Sequence, residues 1–217
     1  MDKILTVTNL EKSFHTREGE IKALDSISFD VSDKEFISIV GPSGCGKSTI
    51  LSILAGLEEK SNGEISFSKD YTIGYMLQND SLFEWRTVLE NCLLGLEVTK
   101  KLTKENKDYV IYLLKTYGLG EFMDEYPSRL SGGMRQRVAL IRTLATKPDI
   151  LLLDEAMSAL DYQSRLAISD DIYKIIKKEG KTAIMVTHDI AEAISLISMT
   201  INTSYFIRCF HYIKYYK

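Results

Sequence analysis

Along the chain the spacing of apolar positions changes period several times. Near the N-terminus it is two: Ile4, Thr6 and Thr8 alternate with Leu5, Val7 and Leu10, and within Ala23–Val31 the residues Ile27, Phe29 and Val31 fall on one side. This predicts antiparallel strands joined by the polar stretch His15–Glu20. Phe36–Val40 (FISIV) is continuously apolar and reads as a buried strand, and Ser48–Leu57 as a helix with Ile50, Leu51, Ile53 and Leu54 inward. A turn over Glu58–Gly63 leads to two short apolar segments, Ile65–Phe67 and Ile73–Met76, the second ending at Gln78.

From Asn79 to Pro148 the pattern turns helical. Thr87 and Glu90 have the capping-box spacing and open a helix through Leu93 and Leu94. Thr103 can cap a second helix, with Val110, Leu113, Leu114 and Tyr117 on one face and Gly118 at its end. Ser131 can cap a third, burying Val138, Ile141, Leu144 and Ala145 and stopping before Pro148. Ile150–Leu153 is apolar enough for a parallel strand covered on both faces. Asp161 can cap the next helix, whose Ile168, Ile172, Ile175 and Ile176 face the sheet, with Gly180 as its stop. A strand over Ala183–Val186 leads to His188, and Asp189 with Glu192 fits a capping box for a last helix with Ala193, Ile194 and Ile197. Strands alternating with helices imply an α/β fold with a mostly parallel sheet, an antiparallel N-terminal piece and an inserted helical segment.

The candidate chemistry sits where strands end. Gly41-Pro42-Ser43-Gly44-Cys45-Gly46-Lys47-Ser48-Thr49 has the spacing G-x-x-x-x-G-K-[ST] between an apolar strand and a helix. Glycines let backbone N–H groups converge on a phosphate chain, and the helix start and Lys47 add positive charge. Lys47 would neutralise the outer phosphates and the Ser48 hydroxyl would ligate Mg²⁺. Asp154 and Glu155 end the most apolar strand, where Asp154 can supply an acidic metal ligand and Glu155 can take a proton from an attacking water. Ser131-Gly132-Gly133 is a second glycine-rich helix start, open to two readings: an ordinary cap or a second phosphate contact. Phe14, at the end of the first strand region, reads by itself as core packing. Cys45, close to a helix start, is expected to be a reactive thiol shielded by nucleotide.

Composition adds bounds. Of 217 residues, 45% are hydrophobic and 26% charged, which is the balance of a globular protein with one sizeable core. The net charge of −3 gives no reason to expect a nucleic-acid surface. The first ten residues lack the apolar core of a signal peptide, and no run approaches a membrane span. The three cysteines (Cys45, Cys92, Cys209) form no metal-like spacing, which suits free thiols.

Six of these stretches, in this order, resemble the ATP-binding subunit of an ABC transporter. GPSGCGKST matches the Walker A motif, Gln78 the Q-loop, LSGGMRQR (Leu130–Arg137) the signature, ILLLDE the Walker B, SALD (Ser158–Asp161) the D-loop and His188 the H-loop. The resemblance implies a P-loop NTPase, RecA-like core and an ATPase that works as a head-to-tail homodimer around two ATP molecules with Mg²⁺. It further implies that Ser131 and Gly133 contact the γ-phosphate held by a second copy, while Gln78 contacts Mg²⁺ and the water. His188 would hold the γ-phosphate, Asp161 would couple the two sites, and Phe14 falls where the family stacks an aromatic on adenine. LFEWRTVLENCLLGLE (Leu82–Glu97) and DEAMSALDYQSR (Asp154–Arg165) are similar to importers of nitrate, sulfonate and taurine. That branch implies an integral-membrane permease, a solute-binding protein acting through it, and a place on the cytoplasmic face of a bacterial membrane. The alternatives are a non-transport ABC ATPase of translation or repair, and a truncated module with impaired turnover.

The resemblance divides the chain into a nucleotide-binding core (1–78 and 148–197), a helical subdomain (79–147) and a tail. Residues 198–217 contain no Asp, Glu, Gly, Ala, Leu or Val and resemble out-of-frame translation of an AT-rich gene. The expectation is a frameshift or truncation near Ile197 that strips one edge of the sheet of its covering strand.

Overall fold

The structure is a computed structural model, and it describes residues 2–17, 19–155, 162–190, 193 and 206–208. Two compact units divide the chain, one formed by residues 1–71 with 182–217 and the other by residues 72–181.

In the first unit β1 (Lys3–Thr16) pairs antiparallel with β2 (Gly19–Ser32) and with β4 (Asn62–Phe67). The expected polar connection His15–Glu20 is itself mostly strand: His15 pairs with Glu20 and Thr16 with Gly19, so the ladder extends as far as that last pair. Gly19 lies there at φ 134°, a dihedral that favours glycine. The alternation in β1 slips between Val7 and Leu10, where Asn9 sits at φ 48°, and this bulge puts both Val7 and Leu10 in the core.

A second set of strands in this unit is parallel. β3 (Phe36–Val40) is buried along its whole length and pairs with β7 (Thr182–Thr187), from Phe36 opposite Ala183 to Val40 opposite Thr187. Its other neighbour is β8 (Phe206–Arg208), in register Ser38 with Phe206 to Val40 with Arg208. The tail therefore supplies a strand to β3, contrary to the expectation of a bare edge there. A short segment with two β-formers, Phe206 and Ile207, needs only an unpaired neighbour to add to a ladder. The rest of the tail, including the segment assigned to a frameshift near Ile197, lies outside the described residues. Helix α1 (Lys47–Leu54) follows β3, starting one residue before the expected point and ending at Leu54 with Ala55 as its C-cap, short of Leu57.

In the second unit β5 (Ile73–Met76) pairs parallel with β6 (Ile150–Asp154), Ile73 opposite Ile150. Asp149 ties the starts of both strands by accepting from the Thr72 N–H (2.8 Å) and hydroxyl (2.7 Å). The helices are α2 (Val88–Val98), α3 (Lys104–Thr116), α4 (Gly132–Leu144) and α5 (Tyr162–Lys178). Thr87 and Glu90 form the expected capping box, and Thr103 and Ser131 cap α3 and α4. Val110, Leu113, Leu114, Val138, Ile141 and Leu144 are fully buried, as their helical spacing predicts. Tyr117 differs: its ring is half-buried and its hydroxyl donates to Glu179 (2.6 Å), which also accepts from Tyr109 (3.0 Å). Ile168, expected to face the sheet, lies against Gly133 of α4, where an added Cβ would come within 2.5 Å of its Cδ1. Of the last predicted helix, Asp189 O accepts from Ala193 N (3.2 Å), while Glu192, Ile194 and Ile197 lie outside the described residues.

Candidate nucleotide site

The glycine-rich loop leaves β3 at Gly41, whose N–H donates to Thr187 O (3.3 Å) at the end of β7. It closes on itself through Cys45 N to Pro42 O (3.3 Å) and enters α1 through Ile50 N to Gly46 O (3.0 Å). Gly46 lies at φ 92°, and an added Cβ would stand 2.4 Å from Ala23 O, so both dihedral and space demand glycine. Gly44, at φ 80°, needs glycine for its dihedral alone. Lys47 is 3% exposed, and its ammonium donates to Gly41 O and Pro42 O, both at 2.9 Å. No acidic residue occupies the first turn of α1, so nothing there opposes an anion at the helix start. This loop fits a phosphate chain: it holds a cation over carbonyls that an anion would draw it away from.

Cys45 is buried at 3% exposure with a free thiol, and the expectation of a readily labelled cysteine is corrected. Proximity to a helix start does not help a thiol that reagents cannot reach. The Cys92 thiol is also buried, and burial pushes it up to about 12.

Phe14 lies in β1 opposite Ile21 and keeps 36% of its surface exposed, so it is not a core side chain. The Lys12 ammonium stands 4.8 Å from its ring centroid, held there by Glu58 Oε1 (2.6 Å) and Glu59 O (2.7 Å). An exposed ring on a fixed strand suits stacking. His188 follows β7 directly and is exposed, in a turn closed by Asp189 N to Thr187 Oγ1 (3.0 Å).

The second unit gathers the acidic residues. Asp154, the last residue of β6, is 7% exposed and accepts from the Tyr75 hydroxyl on neighbouring β5 (2.9 Å). Glu155 leaves the strand at φ 42°, a strained backbone for a residue with a side chain and one that turns the carboxylate off the strand line. Gln78, carried beyond the end of β5, donates from Nε2 to Glu155 Oε2 at 3.4 Å. The spacing in sequence gave no hint that these two would meet; parallel pairing of β5 with β6 brings their ends together. At the start of α4 the Ser131 hydroxyl accepts from Met134 N (3.4 Å), so its capping role is real. Gly133 leaves the space that the Ile168 side chain fills where it meets α4, a packing duty the sequence did not suggest. Asp161 lies outside the described residues.

Several residues escaped sequence reasoning. Tyr75 could have been found only from the register of two strands. Asn91 is fully buried and accepts from Phe83 N (2.8 Å) while its amide donates to the carbonyls of Phe83, Arg86 and Thr87, each at 3.0 Å. A polar residue four positions after the capping residue of an apolar helix was its one visible signal. Asp80, Arg135 and Arg142 likewise carried no pattern of their own.

The Ser48 hydroxyl, the Gln78 amide oxygen and the Asp154 carboxylate are each, taken singly, the kind of hard oxygen donor that Mg²⁺ accepts. Among the described residues no group of three or more His, Cys, Asp or Glu forms a self-contained metal cage, and Mg²⁺ held by a nucleotide requires none. Among the same residues no helix is long and apolar enough to cross a membrane.

Comparison with known proteins agrees with this chemistry. Residues 24–158 match the family model described as ABC transporter. The chain is 46% identical over 198 residues to an uncharacterised ABC transporter ATP-binding protein of Bacillus subtilis, covering 88% of this chain and 76% of that one. It is 39% identical over 200 residues to a taurine import ATP-binding protein of Roseobacter denitrificans, covering 88% and 74%. Among solved structures, a dimeric ATP-binding cassette in a post-hydrolysis state with ADP and phosphate superposes with a TM-score of 0.73 at 33% identity, covering 88% of this chain and 91% of that one.

Proposed function

Since the chain belongs to the ABC transporter family, as an ATP-binding subunit with ATPase activity, we propose that it drives an importer of small anionic solutes through a head-to-tail homodimer. The observation that carries the catalytic part is the pairing of Gln78 with Glu155 next to Asp154 and Tyr75. The loop N–H groups of Gly41–Thr49 and the Lys47 ammonium bind the phosphates. The Ser48 hydroxyl and the Asp154 carboxylate would hold Mg²⁺, and the Tyr75 hydroxyl fixes Asp154 by donating to its Oδ2. Mg²⁺ supplies charge neutralisation on the phosphate oxygens. Glu155 accepts a proton from water as its oxygen attacks the γ-phosphorus and the bond to the β-phosphate oxygen breaks, leaving ADP and phosphate. Gln78 orients Glu155 and the water; His188 binds the γ-phosphate; Phe14 stacks on adenine.

Ser131–Gly133 contact the ATP held by a second copy, and Asp161 couples the two sites. The solute class rests on similarity to a taurine import protein and on the segments Leu82–Glu97 and Asp154–Arg165. A membrane permease chooses the solute together with a solute-binding protein, and this subunit sits on its cytoplasmic face. Glu155→Gln tests the catalytic assignment. Turnover of purified protein should fall at least ~10²-fold with ATP affinity retained, the usual scale for a lost general base; near-normal turnover would remove Glu155 from the mechanism.

A further inference from the structure

The segment that follows Gln78 is fastened to α4 at three points. Arg135 donates from Nε to Asp80 Oδ2 (2.7 Å) and from Nη2 to Asp80 Oδ1 (3.0 Å), a bidentate pair, and the same Nη2 reaches Glu84 Oε1 (2.8 Å). Arg142, seven residues and so about two helical turns further along, donates to Asp80 O (2.5 Å) and Ser81 O (2.8 Å). Asp80 is therefore held by its side chain and by its backbone. Leu82 N to Asp80 Oδ1 (3.1 Å), with Ser81 at φ 47°, closes a tight turn under the clamp. The Asp80 and Arg135 side chains are only 19% and 23% exposed, so the pair is shielded from competing water and salt. Planar bidentate contacts of this kind fix geometry in a way a point charge does not.

Gln78 precedes Asp80 by two residues, which puts their Cα atoms within about 7 Å of each other. We propose that Arg135 and Arg142 are positioning residues for hydrolysis: through Asp80 they hold Gln78 against Glu155 and tie that pair to the helix that begins at Ser131. The proposal rests on the reading of Gln78 and Glu155 given above. It assigns to α4 a duty within its own chain, since whatever engages Ser131–Gly133 also bears on the Gln78 of the same molecule. Lysine in place of Arg135 would keep the charge and lose the fork.

The test is a cycle of kcat and ATP affinity for Gln78→Ala, Asp80→Asn, the two together, and the charge exchange Asp80→Arg with Arg135→Asp. Asp80→Asn should lower kcat about tenfold with ATP affinity within about twofold. Added to Gln78→Ala it should cost less than about twofold more, because it acts through the residue already removed. The exchange should turn over at least about threefold faster than either single charge reversal. Effects of Asp80→Asn that multiply on Gln78→Ala, as a general loss of structure would, overturn the clamp while leaving the catalytic reading intact. Normal turnover of Gln78→Ala overturns that reading and the clamp with it.

Discussion

Gly133 shows how a residue can carry two demands at once. A methyl group there would stand 2.5 Å from Ile168 Cδ1 and 3.1 Å from its Cγ1, so α4 and α5 would have to part or Ile168 leave its rotamer. Alanine favours a helix over glycine by roughly 1 kcal/mol, but overpacking of this kind costs about 1–3 kcal/mol. Gly133→Ala should therefore destabilise the protein by about 1 kcal/mol in denaturant unfolding. In an Ile168→Val background, which removes Cδ1, the loss should shrink by half or more; an equal loss in both would refute the contact.

Asp80 carries a pH signature at the same scale. Burial works against its charge, yet the bonds from Arg135 and Leu82 N–H and the charges of Arg135 and Arg142 prevail and hold its carboxyl below the ordinary 3.8. A folded value below the unfolded one means stability that is present above the ordinary value and lost as pH falls through the folded one. The stability gap between the parent and Asp80→Asn should be level from about pH 7 to 5 and close below about pH 4. A gap that stays constant into that acid range would contradict the ion pair.

At the scale of elements, α2 is pinned by Asn91 as well as by the buried Val88, Cys92, Leu93 and Leu96 of its apolar face. The Asn91 amide accepts from Phe83 N–H and donates to Arg86 O, and it adds to Phe83 O and Thr87 O, which also accept from Arg86 N and Asn91 N. Asn91→Ala should cost about 2–4 kcal/mol in chemical unfolding. A change below about 1 kcal/mol would mean that water replaces the amide.

The elements differ in how far the sequence revealed them, and the reason is the range of the interactions involved. The strand Phe36–Val40, the capping box at Thr87 and the caps at Thr103 and Ser131 depend on neighbours within four residues, and each appears where the local pattern puts it. The hairpin was misjudged because His15–Glu20 is polar on both faces yet pairs as far as Thr16 with Gly19. Of the candidate residues, the phosphate loop was legible as a contiguous motif. The contacts of Gln78 with Glu155, Tyr75 with Asp154 and Arg135 with Asp80 span 55 to 79 positions. No periodicity encodes contacts of that range; they follow from strand pairing and helix packing. The tail was misread at Phe206–Arg208 because its unusual composition led to the expectation of a bare edge, while the β-formers Phe206 and Ile207 sufficed to pair with β3.

For the whole molecule, the role proposed above for Ser131–Gly133, at a nucleotide held by another copy, would give one chain two half-sites. Binding of ATP without its hydrolysis should then lock two chains together. The most direct test is the solution mass of Glu155→Gln, by light scattering, with and without Mg²⁺ and ATP. The account predicts the mass of the 24.6 kDa chain without nucleotide and a doubling with it, reversed when ATP is replaced by ADP. A mass that stays at one chain under saturating ATP, with nucleotide bound, would contradict the dimer on which the mechanism depends.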